Sequence, residues 1–374
     1  MEKIFLKKRR WEGKGERMGE NGFCEKSKKR KVPGILCLTE VRDRRLSLRM
    51  AVVIALICCL VLQMPMFPAY AGSSTPLQMN GQLKVKGTQI VNAKGKAVTL
   101  KGVSTHGINW FPQYVNKSAF KTLRDQWGVN CIRLAMYTKE YNGYCSGGNQ
   151  SDLKKLINNG VKYATELGMY VIIDWHILSD GNPKKNQKQA VAFFKEMAKK
   201  YKNQKNVFYE ICNEPNGNTS WKTIKSYATA VIKTIRAYDK KNIILVGTPT
   251  WSQDVDIIAD SPIKGYSNIM YTFHFYAATH KDYYRNKVQM AINKGLPVFV
   301  SEFGISESSG NGAIDKKEAN TWIQFLKKNK ISYVCWSLSN KAESCSLLKS
   351  SCTRTGNFKT SDLSLAGKWY KAVK

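Results

Sequence analysis

Residues Val207 to Pro215 read VFYEICNEP, a mostly apolar run that stops at Asn213, Glu214 and Pro215. A lysine-rich helical pattern before it and Pro215 after it predict a buried strand over 206–212. Glu214 then falls at the carboxyl end of that strand. In a closed parallel barrel this end of every strand feeds the loops that converge into an active site. A second run, Pro297 to Val300 (PVFV), leads into Ser301-Glu302-Phe303-Gly304, so a second carboxylate ends a second strand. Outward from these two, strand-like runs fall near 101–105, 130–135, 169–175, 242–247, 268–275 and 332–336. Between them lie helical patterns over Ser118–Trp127, Asp152–Leu167, Lys188–Tyr201, Trp221–Tyr238, Val255–Asp260, Tyr283–Lys294, Lys316–Asn329 and Leu363–Val373. Eight strands alternating with helices predict an α/β protein, a (β/α)8 barrel. The competing doubly wound sheet calls for a glycine-rich phosphate turn after an early strand, and the sequence has none. Short strands around Leu83–Val85, Gln89–Val91 and Ala97–Leu100, with a turn at Asn92–Gly95, predict an N-terminal β-hairpin across the bottom of the barrel.

Charge and leader divide the chain into three parts: a basic extension over 1–50, an apolar segment over 51–71 and a barrel over 72–374. The net charge is +33, and the first 50 residues hold 16 Lys and Arg against 7 Asp and Glu. The lysines of the barrel, among them Lys199, Lys200, Lys225, Lys327 and Lys328, are spread over several helices without an arginine-aromatic stripe. That pattern reads as solvated helix faces and gives no nucleic-acid partner. Residues 51–68 carry no charge, follow Arg44, Arg45 and Arg49, and lead into Ala69-Tyr70-Ala71 and then Gly72, the small-residue pattern of a signal cleaved after export. Translation starting later, for instance at Met50, accommodates the long basic segment. An uncleaved membrane anchor is the alternative. Cys131, Cys212 and Cys335 fall in strands as small buried hydrophobes, and Cys345 and Cys352 sit where an exported protein can bridge them. No Cys pair has metal spacing and no HExxH is present, so neither metal nor cofactor is expected.

The polar residues gather at strand ends. Of four histidines, His106, His176 and His274 each lie at or just beyond the end of a predicted strand. Period-two alternation puts Asp174 with His176, and His274 with Tyr276, on common faces. Arg133, inside the apolar run CIRLAMY, demands a buried carboxylate partner if it faces the barrel, and Glu210 or one of the strand-end carboxylates can supply it. Trp110, Phe111, Tyr137, Trp251 and Trp336 stand just past strand ends, where aromatic faces suit sugar rings. Lys341 and Glu343 follow Trp336 as partners for hydroxyl groups. Two carboxylates on two strand ends facing each other across the barrel are what cleavage of a glycosidic bond requires, one protonating the leaving oxygen and the other attacking or activating water.

STHGINWF (Ser104 to Phe111), IRLAMY (Ile132 to Tyr137), IDWH (Ile173 to His176), EICNEP (Glu210 to Pro215), GTPTWSQ (Gly247 to Gln253), FHFYA (Phe273 to Ala277), SEFG (Ser301 to Gly304) and CWSLSNK (Cys335 to Lys341) occur in this order. Together they resemble glycoside hydrolase family 5, most closely its secreted bacterial endoglucanases, from about Gly81 onward. The resemblance implies retaining hydrolysis of internal β-1,4-glucosidic bonds, with Glu214 as acid/base and Glu302 as nucleophile. Around them it implies Arg133, His176, Asn213, His274, Tyr276 and Trp336; Asn213, directly before the acid, is placed to bond the sugar 2-hydroxyl. It further implies His106, Trp110, Tyr137, Ser308, Trp336, Lys341 and Glu343 as sugar-binding positions. The expectation is a secreted monomer acting on a β-1,4-glucan. A mannanase, xylanase or chitosanase on the same scaffold is the rival enzyme reading, and a catalytically silent glucan-binding protein the rival class.

Overall fold

A strand buried on both faces must be apolar at nearly every position, and a helix covering it needs one apolar stripe. The computed structural model describes residues 74–373 and follows that logic. The basic extension and the apolar segment over 51–71 lie outside the described residues. A two-stranded antiparallel hairpin, β1 (Lys84–Lys86) and β2 (Gln89–Val91), precedes eight parallel strands. These are β3 (Lys101–Thr105), β4 (Cys131–Tyr137), β5 (Tyr170–His176), β6 (Val207–Glu210), β7 (Ile244–Val246), β8 (Ile269–Tyr276), β9 (Val298–Gly304) and β10 (Tyr333–Leu338). Each pairs with its neighbours in chain order, and β10 closes on β3, giving the expected (β/α)8 barrel. Every residue of the eight is buried.

Helix Trp221–Tyr238 illustrates the covering layer. Ser220 caps it by accepting from Thr223 N at 3.3 Å, and Ile224, Tyr227, Ala228, Val231, Ile232 and Ile235 recur at helical spacing to form the buried stripe. Lys222 and Lys233 of the same helix are exposed, as the solvated-face reading expects. Helix Lys117–Trp127 is capped by Asn116, which accepts from Ala119 N at 2.8 Å, and ends at Gly128 with φ 66°. Glycine takes that left-handed conformation without a Cβ clash. Inside the barrel, Leu83, Ile90, Val98 and Leu100 pack on Cys131, Tyr170, Phe208, Leu245, Met270, Phe299 and Val334. The hairpin therefore plugs the amino-terminal mouth and leaves the carboxyl-terminal mouth open. Among the described residues no helix is long and apolar enough to cross a membrane.

Three details depart from the sequence reading. The hairpin turns between Lys86 and Gln89, and Asn92–Gly95 leads only to a single bridge between Val91 and Ala97. Asn92 accounts for this, since its Oδ1 accepts from Lys94 N and Lys96 N and curls the chain locally. Strand β6 stops at Glu210, four residues before Glu214. The chain beyond stays hung on its neighbours, with Ile211 N donating to Leu245 O and Asn213 N to Trp175 O, so Glu214 still arrives at the rim. Cys345 and Cys352 are both free. Cys345 turns inward to donate to Glu343 Oε1 at 3.3 Å, whereas Cys352 meets Arg354 O.

Candidate active site

Register assembles the polar groups. Across β8 and β9, His274 pairs with Glu302 and Tyr276 with Gly304; across β4 and β5, Tyr137 pairs with His176; across β5 and β6, Asp174 pairs with Glu210. Gly304 is required here because a Cβ would stand 2.5 Å from the Tyr276 ring. At the floor lies Arg133, with no exposed surface. Its guanidinium donates to Glu210 Oε2 at 2.7 Å, Glu302 Oε2 at 3.0 Å and Asn213 Oδ1 at 2.6 Å, and Asp174 Oδ2 lies 3.0 Å away. The partner that sequence demanded for Arg133 is thus a set of three carboxylates, and these outweigh burial to raise its pKa still further.

Glu302 also accepts from the Tyr276 hydroxyl at 2.9 Å, so each of its oxygens has a donor. Glu214 Oε1 meets His274 Nδ1 at 2.8 Å, and His274 Nε2 meets Ser301 Oγ at 2.8 Å. Oxygens of the two glutamates and a ring nitrogen of His274 lie within 4.8 Å of one another. Among the described residues this is the group dense enough to hold a metal ion, yet the Glu302 oxygens already accept from Arg133 and Tyr276, and Glu214 is hydrogen-bonded to His274. Burial is the first cause that pushes Glu214 up to about 8, reinforced by Asp174 and Glu210 and opposed by Arg133. Burial and the neighbouring Glu214 also push Glu302 up, while the permanent charge of Arg133 acts to keep it ionised. With direct donors on both its oxygens, Glu302 is the better site for the charge and Glu214 for the proton.

His176 places Nδ1 2.6 Å from Asp174 Oδ2, and Asn213 Nδ2 faces its Nε2 at 3.3 Å. Since Asn213 donates, the ring proton sits on Nδ1 and is given to Asp174. Burial, then the Arg133 charge, holds His176 well below its usual value, and burial lifts Asp174 to about 7. The same Asn213 amide donates to Ile177 O at 3.0 Å. Above these, a cleft of about 620 Å³ is lined by His106, Tyr137, His176, Glu214, Trp251, His274, Tyr276, Glu302, Ser308, Trp336, Lys341 and Glu343. Lys341 lies 2.6 Å and His106 3.5 Å from the Glu343 carboxylate. Against the upward push of burial, these two hold Glu343 below its ordinary value.

Not every expected residue reaches the cleft wall. Arg133 and Asn213 lie beneath it. Trp110 packs tilted on Tyr137 at 4.5 Å and donates from Nε1 to Tyr141 O, and Phe111 packs on the His106 ring at 4.9 Å. Conversely, His280, Gln253 and Tyr284 line the cleft without having been read from sequence. His280 Nδ1 accepts from Tyr276 N at 2.8 Å, and its position four residues past Tyr276 was the available signal. Ser301 was also missed, because a serine beside a catalytic-type glutamate carries no mark of its own.

Comparison with known proteins matches residues 91–342 to a family model described as cellulase, glycosyl hydrolase family 5. The chain is 48% identical over 296 residues to endoglucanase A of Butyrivibrio fibrisolvens, covering 78% of this chain and 68% of that protein. It is 50% identical over 303 residues to an endoglucanase of Clostridium saccharobutylicum, covering 81% and 67%. The catalytic domain of a Thermobifida fusca endoglucanase, solved with cellotetraose, superposes with a TM-score of 0.76 at 39% identity, covering 80% of this chain and 98% of that one.

Proposed function

This chain belongs to glycosyl hydrolase family 5, and from that premise we propose that it is an endo-1,4-β-glucanase working by double displacement. Glu302 attacks the anomeric carbon as the bond to the leaving oxygen breaks, and Glu214 gives that oxygen its proton. A water then attacks the glycosyl ester, losing its proton to Glu214. The observation that carries this reading is that one carboxylate oxygen of Glu214 and one of Glu302 lie within 4.8 Å of each other, too close for a water to stand between them as inversion requires. Retention needs a separation of about 5 to 5.5 Å between the carboxyl groups, and inversion about 6.5 to 9.5 Å to admit a water. Arg133 and Tyr276 hold the nucleophile ionised and aimed. Asn213 bonds the 2-hydroxyl with the N–H that meets His176 in the free enzyme. Trp251, Trp336, His106, Tyr137, Ser308, Lys341 and Glu343 receive the glucan.

The reading extends to the whole chain. The apolar segment over 51–71 directs export, Gly72 begins the mature protein, and the enzyme acts as a monomer. The test is secreted protein whose mass places its first residue at Gly72, assayed on carboxymethyl-cellulose, mannan, xylan and chitosan. Reducing-sugar release should be greatest from carboxymethyl-cellulose. Greater release from mannan, xylan or chitosan would replace the substrate, and release from none would favour a silent binding protein.

A further inference from the structure

The His274 contacts resolve into a chain once protons are counted. Glu210 is gripped by two Arg133 nitrogens, at 2.7 and 3.2 Å, and its Oε1 accepts from Ser301 Oγ at 2.7 Å. A serine hydroxyl has one proton. With that proton spent on Glu210, Ser301 Oγ can only accept from His274 Nε2. Burial holds the imidazole down to about 4, so it is neutral and has a single N–H. The ring therefore presents a bare lone pair at Nδ1 to Glu214 Oε1, 2.8 Å away. That contact is favourable only when Glu214 carries a proton.

We propose that Ser301 is a positioning residue that locks His274 with its proton on Nε2, so that the bare Nδ1 keeps the catalytic proton on Glu214 and draws it back after each transfer. The proposal rests on the acid/base role of Glu214. It also explains why a serine stands beside the nucleophile: Ser301 joins Glu210, the Arg133 partner, to the carboxyl that must stay neutral. The remaining charged groups facing Glu214, namely Arg133, Asp174, Glu210 and Glu302, keep their contacts with one another when Ser301 is truncated. Without the hydroxyl, His274 Nε2 lies 3.8 Å from Glu210, too far for a hydrogen bond. The ring proton is then free to move to Nδ1, where it stabilises ionised Glu214.

The experiment compares the intact protein with its Ser301→Ala and Ser301→Thr variants. Imidazole ¹⁵N spectra read the tautomer without turnover, and should show His274 protonated on Nε2 in the unaltered protein and on Nδ1 in Ser301→Ala. The kcat/KM profile, which falls as Glu214 loses its proton near pH 8, should lose its alkaline limb about one pH unit earlier in Ser301→Ala. Ser301→Thr, which keeps the hydroxyl, should restore the limb. A wild-type His274 with its proton on Nδ1, or an Ser301→Ala profile lowered equally at every pH, would overturn the proposal. If the tautomers behave as expected but no glucan is cleaved by the unaltered protein, the functional reading fails and the tautomer lock stands.

Discussion

Arg133 is the residue on which the site's charges are balanced. A guanidinium with no exposed surface is tolerated because its donors meet Glu210, Glu302 and Asn213, with Asp174 alongside. Breaking such a buried pair costs about 3 to 5 kcal/mol, because the remaining charge is stranded. This much was legible in sequence, since a charge in CIRLAMY needs a partner wherever the strand is buried. Ser301 was not legible, because its significance lies in Glu210, distant in the chain, and in the tautomer of the His274 ring. At this scale the nucleophile gives the sharpest prediction. Glu302→Ala should lose roughly 10³-fold or more in kcat. Added azide should recover part of it, forming a carbon–nitrogen bond where the ester would form and yielding an α-glycosyl azide. A variant that azide leaves inert would remove Glu302 from the attacking position.

Strand ends and loops divide the aromatic side chains into two kinds. Trp336, expected past the end of its strand, lies inside β10, which continues to Leu338, and is 5% exposed, stacked on His176 at 5.3 Å and tilted on His106 at 5.0 Å. Trp251 lies on the loop after β7, is 45% exposed, and has φ 54° between Thr250 and Ser252, which are also left-handed. Three successive non-glycine residues in that region store strain, which the loop offsets through Ser252 Oγ donating to Asn213 O at 2.7 Å and Trp251 N to Pro215 O at 3.0 Å. The sequence placed both tryptophans beyond strands but could not distinguish wall from rim, because exposure depends on what packs behind. Trp251→Ala should reduce kcat/KM roughly 3- to 10-fold with an unchanged melting temperature, whereas Trp336→Ala should reduce both, at about 3 kcal/mol or more of stability. Calorimetry beside kinetics checks the contrast, and equal destabilisation by the two would contradict it.

The whole barrel was legible because its burial is redundant: eight strands covered on both faces must be written as apolar runs, and the helices between them as stripes. The features that escaped, such as the early end of β6, the position of the hairpin turn and the free Cys345 and Cys352, are set by local hydrogen bonds that leave hydrophobic pattern unchanged. What the barrel does is carry Glu214 on the chain after β6 and Glu302 in β9 to one rim, with an oxygen of each within 4.8 Å of the other. The claim of retention rests on that distance, and the product's stereochemistry reads it directly. Proton NMR of a cello-oligosaccharide during its first minutes of cleavage should show the β-anomer of the new reducing end before mutarotation. An initial α-anomer would contradict the double displacement and require a water between the two carboxyl groups.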